Sequence, residues 1–181
     1  MKLKKTDLAG CFVLEHEIFE DDRGSFYESY NKEKFEALLG FPVNFVQDNH
    51  SVSQRGVLRG LHFQQSPYEQ SKLVRVVRGE AIDVVIDIRK DSPTFGRHFK
   101  IRISQGDNIS LFIPKGMAHG FLALKDQTVF VYKCDHYYHK ESERGIMYND
   151  PDLRIDWEAD EDSLILSDKD RKLPSFKDLL L

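Results

Sequence analysis

Between residues 74 and 132 the chain reads as a succession of short β-rich runs, each closed by a turn signal, and few architectures can be built from such a pattern. Residues 74–77 end at Gly79. Residues 81–88 (AIDVVIDI) are closed by the turn-forming stretch 89–93. Residues 97–103 alternate polar and apolar side chains, Ile109–Ile113 runs up to Pro114, and residues 128–132 (TVFVY) form a further run. Short strands at this spacing, without helical periodicity between them, point to a sandwich or barrel rather than to βαβ units. A double-sheet jelly roll is the natural closure for so many strands. Helix is scarce. One is predicted over residues 31–39 (NKEKFEALL), with Asn31 as N-cap and Gly40 just past its end, and the tail 176–181 suits a turn or two more. The expected fold is an all-β jelly-roll sandwich with short peripheral helices.

The length of 181 residues suits one domain, 1–181, and no repeat, low-complexity tract or Pro/Gly/Ser linker divides it. A net charge of −4 argues against general nucleic-acid binding, because few phosphates could be neutralised at once. A small anion can still be held where a few Arg and Lys converge. No apolar run approaches the ~20 residues of a membrane helix. The charged start has no apolar stretch behind it, so a cytoplasmic, non-membrane location is expected. Two cysteines, Cys11 and Cys134, are too few for a disulfide framework and read as buried thiols. The apolar run 11–14 and the terminal LLL need burial, which a subunit interface could supply.

Four segments carry residues suited to chemistry. In 56–64 (GVLRGLHFQ), Arg59 and His62 stand between glycines that permit close backbone approach. Imidazole is the commonest general base, although a single strand histidine is more often structural. In 70–77 (QSKLVRVV), strand alternation sets Lys72 on the face of Val74 and Val76, opposite Leu73 and Arg75. A lysine turned inward among valines needs a partner or a task, unless it lies at a solvated strand end. Residues 129–138 hold Tyr132, Tyr137 and Tyr138, whose phenols can donate protons but usually serve core or rim. Residues 167–170 (SDKD) offer a carboxylate that could orient a histidine.

A further segment, 114–121 (PKGMAHGF), carries the Pro-x-Gly-x-x-His pattern of the cupin jelly roll, in which the histidine is often a metal ligand. The companion His-x-His is His62-Phe63-Gln64 here, with Glu69 downstream. A carboxamide oxygen replaces imidazole poorly toward a transition metal. A site of His62, Gln64, Glu69 and His119 is the metal-dependent alternative, as in a dioxygenase.

Taken in order, DDRGSFYE (21–28), QDNHS (47–51), GVLRGLHFQ, QSKLV, DVVIDIRKDSPTFG (83–96), PKGMAHGF, Tyr132-Lys133, Tyr137-Tyr138, Glu143, Asn149-Asp150-Pro151, Trp157 and SDKD make the chain resemble the dTDP-4-dehydrorhamnose 3,5-epimerases, metal-free cupin-like enzymes of deoxysugar biosynthesis. The resemblance implies that His62 is the general base, held by Asp170. It makes Tyr132 the acid on the opposite face and Lys72 the stabiliser of the enolate oxygen. Arg23, Glu28, Gln47, Asp48, Asn49, Arg59, His119, Glu143 and Lys169 would hold the nucleotide sugar, and Tyr138 would be a platform for the base. It also implies a homodimer with exchanged N-terminal strands and a dTDP-sugar substrate. Met117 stands where an aromatic is common, and Cys134 where a hydroxyl residue is expected.

Those residue types suit such a reaction. In a 4-keto sugar the C3 and C5 hydrogens flank the ketone, so removing either gives an enolate, and no redox cofactor or metal is required. A base on one face, a cation at the developing oxyanion and an acid on the other face suffice. The other readings are a single-site epimerase on a related nucleotide sugar, the metal-dependent cupin, and a non-catalytic sugar-binding module.

Overall fold

The computed structural model describes residues 1–180, and of Leu180 only the backbone. The strands in chain order are β1 (Lys2–Lys5), β2 (Phe12–Glu15), β3 (Phe19–Asp21), β4 (Gly24–Phe26), β5 (Gln47–Ser53), β6 (Leu58–Gln64), β7 (Lys72–Arg78), β8 (Glu80–Asp87), β9 (His98–Ser104), β10 (Ile109–Ile113), β11 (Met117–Ala123), β12 (Thr128–Cys134) and β13 (Glu143–Gly145). The helix α1 (Lys32–Leu39) lies between β4 and β5. Two antiparallel sheets result, in the orders β1-β2-β10-β7-β12-β5 and β13-β6-β11-β8-β9, with β3-β4 as a separate hairpin. The expected all-β sandwich is the fold observed. Among the described residues no helix is long and apolar enough to cross a membrane.

Three apolar clusters explain the strand patterns. Between the sheets, Val74 and Val76 of β7, Leu111 and Ile113 of β10 and Phe130 of β12 meet Ala81 and Val85 of β8 and Phe121 of β11. Outside the five-stranded sheet, residues from 146 onward lay Ile146, Leu153, Trp157, Leu164 and Phe176 over Leu58, Leu61, Ile82, Val84 and Ile86. β8 is therefore covered on both faces, which is why it reads as a nearly continuous apolar run instead of an alternating one. Outside the six-stranded sheet, Phe35 of α1 packs on Leu14, Leu73 and Phe112. Leu73 thus faces out toward α1 while Val74 and Val76 face in, the alternation expected of that strand.

The helix has the anticipated ends. Asn31 caps it by accepting from the Lys34 N–H at 3.1 Å, and Gly40 takes the left-handed conformation (φ 81°) and donates to Glu36 O at 2.9 Å. The tail forms a 3-10 turn at Lys177–Leu180. Leu179 packs on the outer apolar cluster, and Leu181 lies outside the described residues. Of the run 11–14, Cys11 and Leu14 are fully enclosed within the chain, where β2 pairs with β1 and β10, while Phe12 and Val13 are half-buried. Both cysteines are free and buried.

β5, β6 and β11 carry motifs and not the apolar runs that mark the other strands. β5 (QDNHSVS) carries almost no apolar residue, because one face borders a cleft. β11 is buried throughout and includes Gly120. Gly60 of β6 (φ 129°) faces Gly120. A Cβ built on Gly60 would lie 2.5 Å from Gly120 Cα and 2.9 Å from His119 O. The β6–β11 register shifts at this point, from His119↔His62 to Phe121↔Arg59, so β6 has one residue more than its partner.

Two stability predictions follow from these contacts. Gly60→Ala places a methyl against backbone at a positive φ and should destabilise the protein by at least about 2 kcal/mol, lowering Tm by roughly 4–8 °C in a thermal melt. Asp87 is fully buried and accepts from Arg89, Ser92 and Thr94. Burial opposes its charge, but these bonds prevail and bring its pKa down to about 2. A depressed carboxylate stabilises the fold above its unfolded pKa and loses that contribution as pH falls from about 4 toward 2. Asp87→Asn should therefore cost about 2 kcal/mol at neutral pH in urea titrations, and the difference from wild type should shrink through that acid window.

Candidate active site

A cleft of about 710 Å³ opens between the two sheets. Gln47 and Asn49 of β5, Lys72 of β7 and Tyr132 of β12 line it from the six-stranded sheet. Arg59 and His62 of β6, His119 of β11 and Glu143 of β13 line it from the five-stranded sheet. Tyr138 and the C-terminal residues Ser167, Lys169 and Asp170 close its rim. Arg59 and His62 are three residues apart, and a regular strand would send them to opposite faces. The extra residue at Gly60 cancels that alternation, so both side chains enter the cleft.

His62 Nε2 lies 2.6 Å from Asp170 Oδ1. Asp170 is buried, and burial alone would raise its pKa. Hydrogen bonds from His62, Ser167 and the Gly60 backbone N–H outweigh this and hold it below the usual carboxylate range. An ionised Asp170 fixes the ring orientation of His62 and stabilises the imidazolium that forms when His62 takes a proton. Burial pushes the Tyr132 phenol up to about 12, so it is a protonated donor at neutral pH. Lys72 Nζ sits 5.9 Å from the Tyr132 ring centroid. Desolvation lowers its pKa, against the raising effect of Cys134, Asp83 and Glu143. No carboxylate lies within ion-pair distance of Lys72 among the described residues, which leaves its charge for a ligand. The inward lysine of the sequence thus faces a cleft and not a closed core.

The rim is a connected set. Glu143 accepts from the Tyr138 hydroxyl at 2.7 Å and pairs with Lys169. These two partners overcome burial and hold Glu143 below its usual range, while Glu143 in turn pushes Tyr138 up to about 12. Gln47 accepts from the Tyr138 backbone N–H at 3.0 Å and donates to Asn49 at 3.0 Å. Asn49 donates to Cys134 Sγ at 3.6 Å, the sulfur at the position where a hydroxyl was expected. Arg59 Nε donates to Ser53 Oγ at 3.1 Å.

Three expected site residues do not reach this cleft within the chain. Arg23 sits on the exposed β3–β4 hairpin, bonded to Asp21. Glu28 lies outside the helix N-terminus, bonded to Lys34 and Asn31. Asp48 points away from its neighbours Gln47 and Asn49, as strand alternation requires, and pairs with Lys133 at 2.9 Å. The four residues of the metal alternative do not converge either. Gln64 is engaged with Tyr68 O at 2.8 Å and the His139 N–H at 2.6 Å, His62 and His119 each bind a carboxylate, and Glu69 is not in the cleft wall. Among the described residues no three His, Cys, Asp or Glu side chains are placed to hold a metal ion. One residue escaped sequence reading: Asp83, buried in β8, lies 2.6 Å from His119. Its signal was a carboxylate inside the otherwise apolar AIDVVIDI run.

The family model for dTDP-4-dehydrorhamnose 3,5-epimerase matches residues 5–178. The chain is 48% identical over 180 residues to the Escherichia coli dTDP-4-dehydrorhamnose 3,5-epimerase, covering 99% of this chain and 97% of that one. The crystal structure of the Elizabethkingia anophelis dTDP-4-dehydrorhamnose 3,5-epimerase is similar with TM-score 0.95 and 49% identity, over 98% and 97% of the two chains. A Legionella pneumophila dTDP-6-deoxy-D-glucose-3,5-epimerase, solved with dTDP-4-keto-L-rhamnose, matches with TM-score 0.93 and 46% identity, over 97% and 93%. Together with a cleft that sets a histidine–carboxylate pair opposite a buried tyrosine and a free lysine, these matches make the chain a member of the dTDP-4-dehydrorhamnose 3,5-epimerase family, a carbohydrate isomerase.

Proposed function

We propose that the cleft inverts C3 and C5 of dTDP-4-dehydro-6-deoxy-D-glucose to give dTDP-4-dehydro-L-rhamnose, with His62 as base, Tyr132 as acid and Lys72 at the enolate oxygen. The observation that carries the assignment is the placement of His62 with Asp170 on one wall and Tyr132 with Lys72 on the other. His62 Nε2 is occupied by Asp170, so the proton from carbon goes to Nδ1. The electron pair moves into the C–C bond next to C4 and onto the ketone oxygen, beside the Lys72 ammonium. Tyr132 then delivers its proton to the opposite face as the carbonyl reforms. Water restores both groups, and the second carbon repeats the cycle after the ring turns.

Arg59 and Lys169 supply cationic contacts for the diphosphate, Arg59 as a fork and Lys169 as a point charge. Gln47, Asn49, His119 and Glu143 supply polar contacts to the sugar and nucleoside, and Tyr138 is exposed enough to stack on the base. Arg23 and Glu28 belong to the same reading in a homodimer. The β3–β4 hairpin exposes Phe19 (56%) and Phe26 (71%), more apolar surface than a solvated hairpin calls for. Laid over the other protomer, it would bring Arg23 and Glu28 to that cleft and bury both rings. The cytoplasm is the location consistent with a nucleotide-activated substrate. Asp48 has no assigned role beyond its pair with Lys133.

In heavy water, metal-free protein should introduce deuterium at both C3 and C5 of the 4-keto sugar, followed by proton NMR. Label at one carbon alone would make it a single-site epimerase, and label that depends on added metal would return the cupin alternative. His62→Asn should slow exchange by about 100-fold or more. Asp170→Asn should do likewise while binding dTDP with little change, because it disturbs ring orientation and not the diphosphate contacts. Undiminished exchange in His62→Asn would remove the assignment of the base. Sedimentation should give twice the 21.1 kDa chain mass, and a strictly monomeric mass would remove the hairpin contribution.

A further inference from the structure

Asp83 is a fully buried carboxylate that the proposed reaction leaves without a role. It is 0% exposed and its Oδ1 lies 2.6 Å from His119 Nε2. Oδ2 is enclosed and has no hydrogen-bond partner among the described residues. Burying an anion with a single hydrogen bond is unfavourable by several kcal/mol, and an apolar residue would serve β8 better as a core position. The surrounding core is apolar on both faces of this strand, with Ala81, Ile82, Val84 and Val85 as neighbours in sequence. The carboxylate acts on what it touches, and it touches His119.

His119 lines the cleft, is 6% exposed, and stands directly opposite His62 in the β6–β11 ladder. Two histidine–carboxylate pairs therefore lie side by side on one wall, His62–Asp170 toward solvent and His119–Asp83 toward the core. Burial lowers the His119 pKa first. Asp83 raises it, and the Lys72 and His62 charges lower it further, so the ring is neutral at neutral pH. A neutral imidazole has one N–H. With the Asp83 carboxylate as the acceptor of the 2.6 Å contact, that N–H sits at Nε2. Nδ1, a lone-pair acceptor, is then the only polar atom His119 has left for the cleft.

We propose that Asp83 is a positioning residue for the epimerisation: by accepting the Nε2 proton of His119 it fixes the tautomer whose bare Nδ1 accepts a hydrogen bond from a hydroxyl of the bound sugar. This rests on the epimerase reading above. The site would recognise a hydroxyl donor on the keto sugar beside the reacting carbon and would discriminate against a sugar lacking it. Asp83→Asn keeps size and shape but offers Nε2 an amide donor, which drives the ring proton to Nδ1 and turns the acceptor into a donor. The consequence parallels the wrong-tautomer effect of the corresponding change in a serine-protease triad.

The test uses protein labelled with ¹⁵N-histidine, whose ring ¹⁵N–¹H correlations report the tautomer directly. Wild type should show His119 as Nε2–H at about pH 6–8, and Asp83→Asn should move it toward Nδ1–H. The variant should lose about 10- to 100-fold in kcat with dTDP affinity changed less than about 3-fold, and in a His119→Ala background Asp83→Asn should add no further loss. A wild-type His119 protonated at Nδ1, wild-type turnover in Asp83→Asn, or full additivity of the two changes would each overturn the proposal. Should Asp83→Asn fail to fold, the wild-type spectrum alone still decides the tautomer. Absence of turnover in wild type would strike the epimerase reading and leave the tautomer measurement standing.

Discussion

Gly60 and Gly120 meet where β6 crosses β11, with space for hydrogen atoms and nothing larger between them. That contact sets the rest of the site. It brings the two backbones together while β6 holds one residue more than its partner, so Arg59 and His62 both turn into the cleft. It also directs the Gly60 N–H at Asp170, a residue 110 positions away, on a C-terminal segment held down by Trp157, Leu164 and Phe176. The orientation of His62 is thus over-determined from both sides: by its own strand, whose path the glycines fix, and by a carboxylate that the outer apolar cluster presses into place. An enzyme that must align a proton acceptor to within a fraction of an ångström gains from such rigidity.

The distribution of charge in the cleft follows a consistent logic of partnership. Glu143 is held by Tyr138 and Lys169 at the rim, where solvent screens the set. Asp170 lies 2.6 Å from His62 Nε2 and sits below the usual carboxylate range. Lys72 has no ion-pair partner among the described residues, and its proton is favoured only by charges at longer range. A cation left unpaired in a partly dry cleft is costly until an anion arrives, and in the proposed reaction the developing enolate oxygen would be that anion. Interaction that strengthens as charge appears on the substrate contributes to rate rather than to ground-state affinity.

Much of this could be read in the amino-acid sequence, for identifiable reasons. β8 and β10 announced themselves because their burial leaves apolar runs, and α1 because Asn31 and Gly40 mark its ends. The inward face of Lys72 followed from period-two alternation with Val74 and Val76. β5 was opaque as a strand, since its inward face lines a polar cleft and Gln47, Asn49 and Ser51 stand where apolar residues would signal a core. The co-orientation of Arg59 and His62 was beyond alternation, which predicts the reverse, because it depends on a register shift that only the partner strand reveals. Arg23 and Glu28 lie outside the cleft of their own chain, a placement that strand alternation and motif spacing do not reveal. Asp83 was visible as a charge within an apolar strand, but its meaning depends on His119, 36 residues away.

The sandwich itself bears on stereochemistry. Epimerisation requires that a proton leave one face of the sugar and return to the other, so acid and base must lie on opposite sides of a flat enolate. In a single-sheet site, catalytic side chains project from one surface and approach the substrate from one direction. Here the cleft is the gap between two sheets. His62 comes from the five-stranded wall, and Tyr132 and Lys72 come from the six-stranded wall. In the proposed reaction, a ring lying between the walls would meet His62 from one side and Tyr132 from the other. The burial that lifts Tyr132 to about 12 keeps it a donor, and the Asp170 contact orients the His62 ring. Reversing these roles would require an ionised phenol in a desolvated strand, far from its favoured state at neutral pH. In the proposed reaction the direction of proton flow thus follows from which sheet each residue stands on.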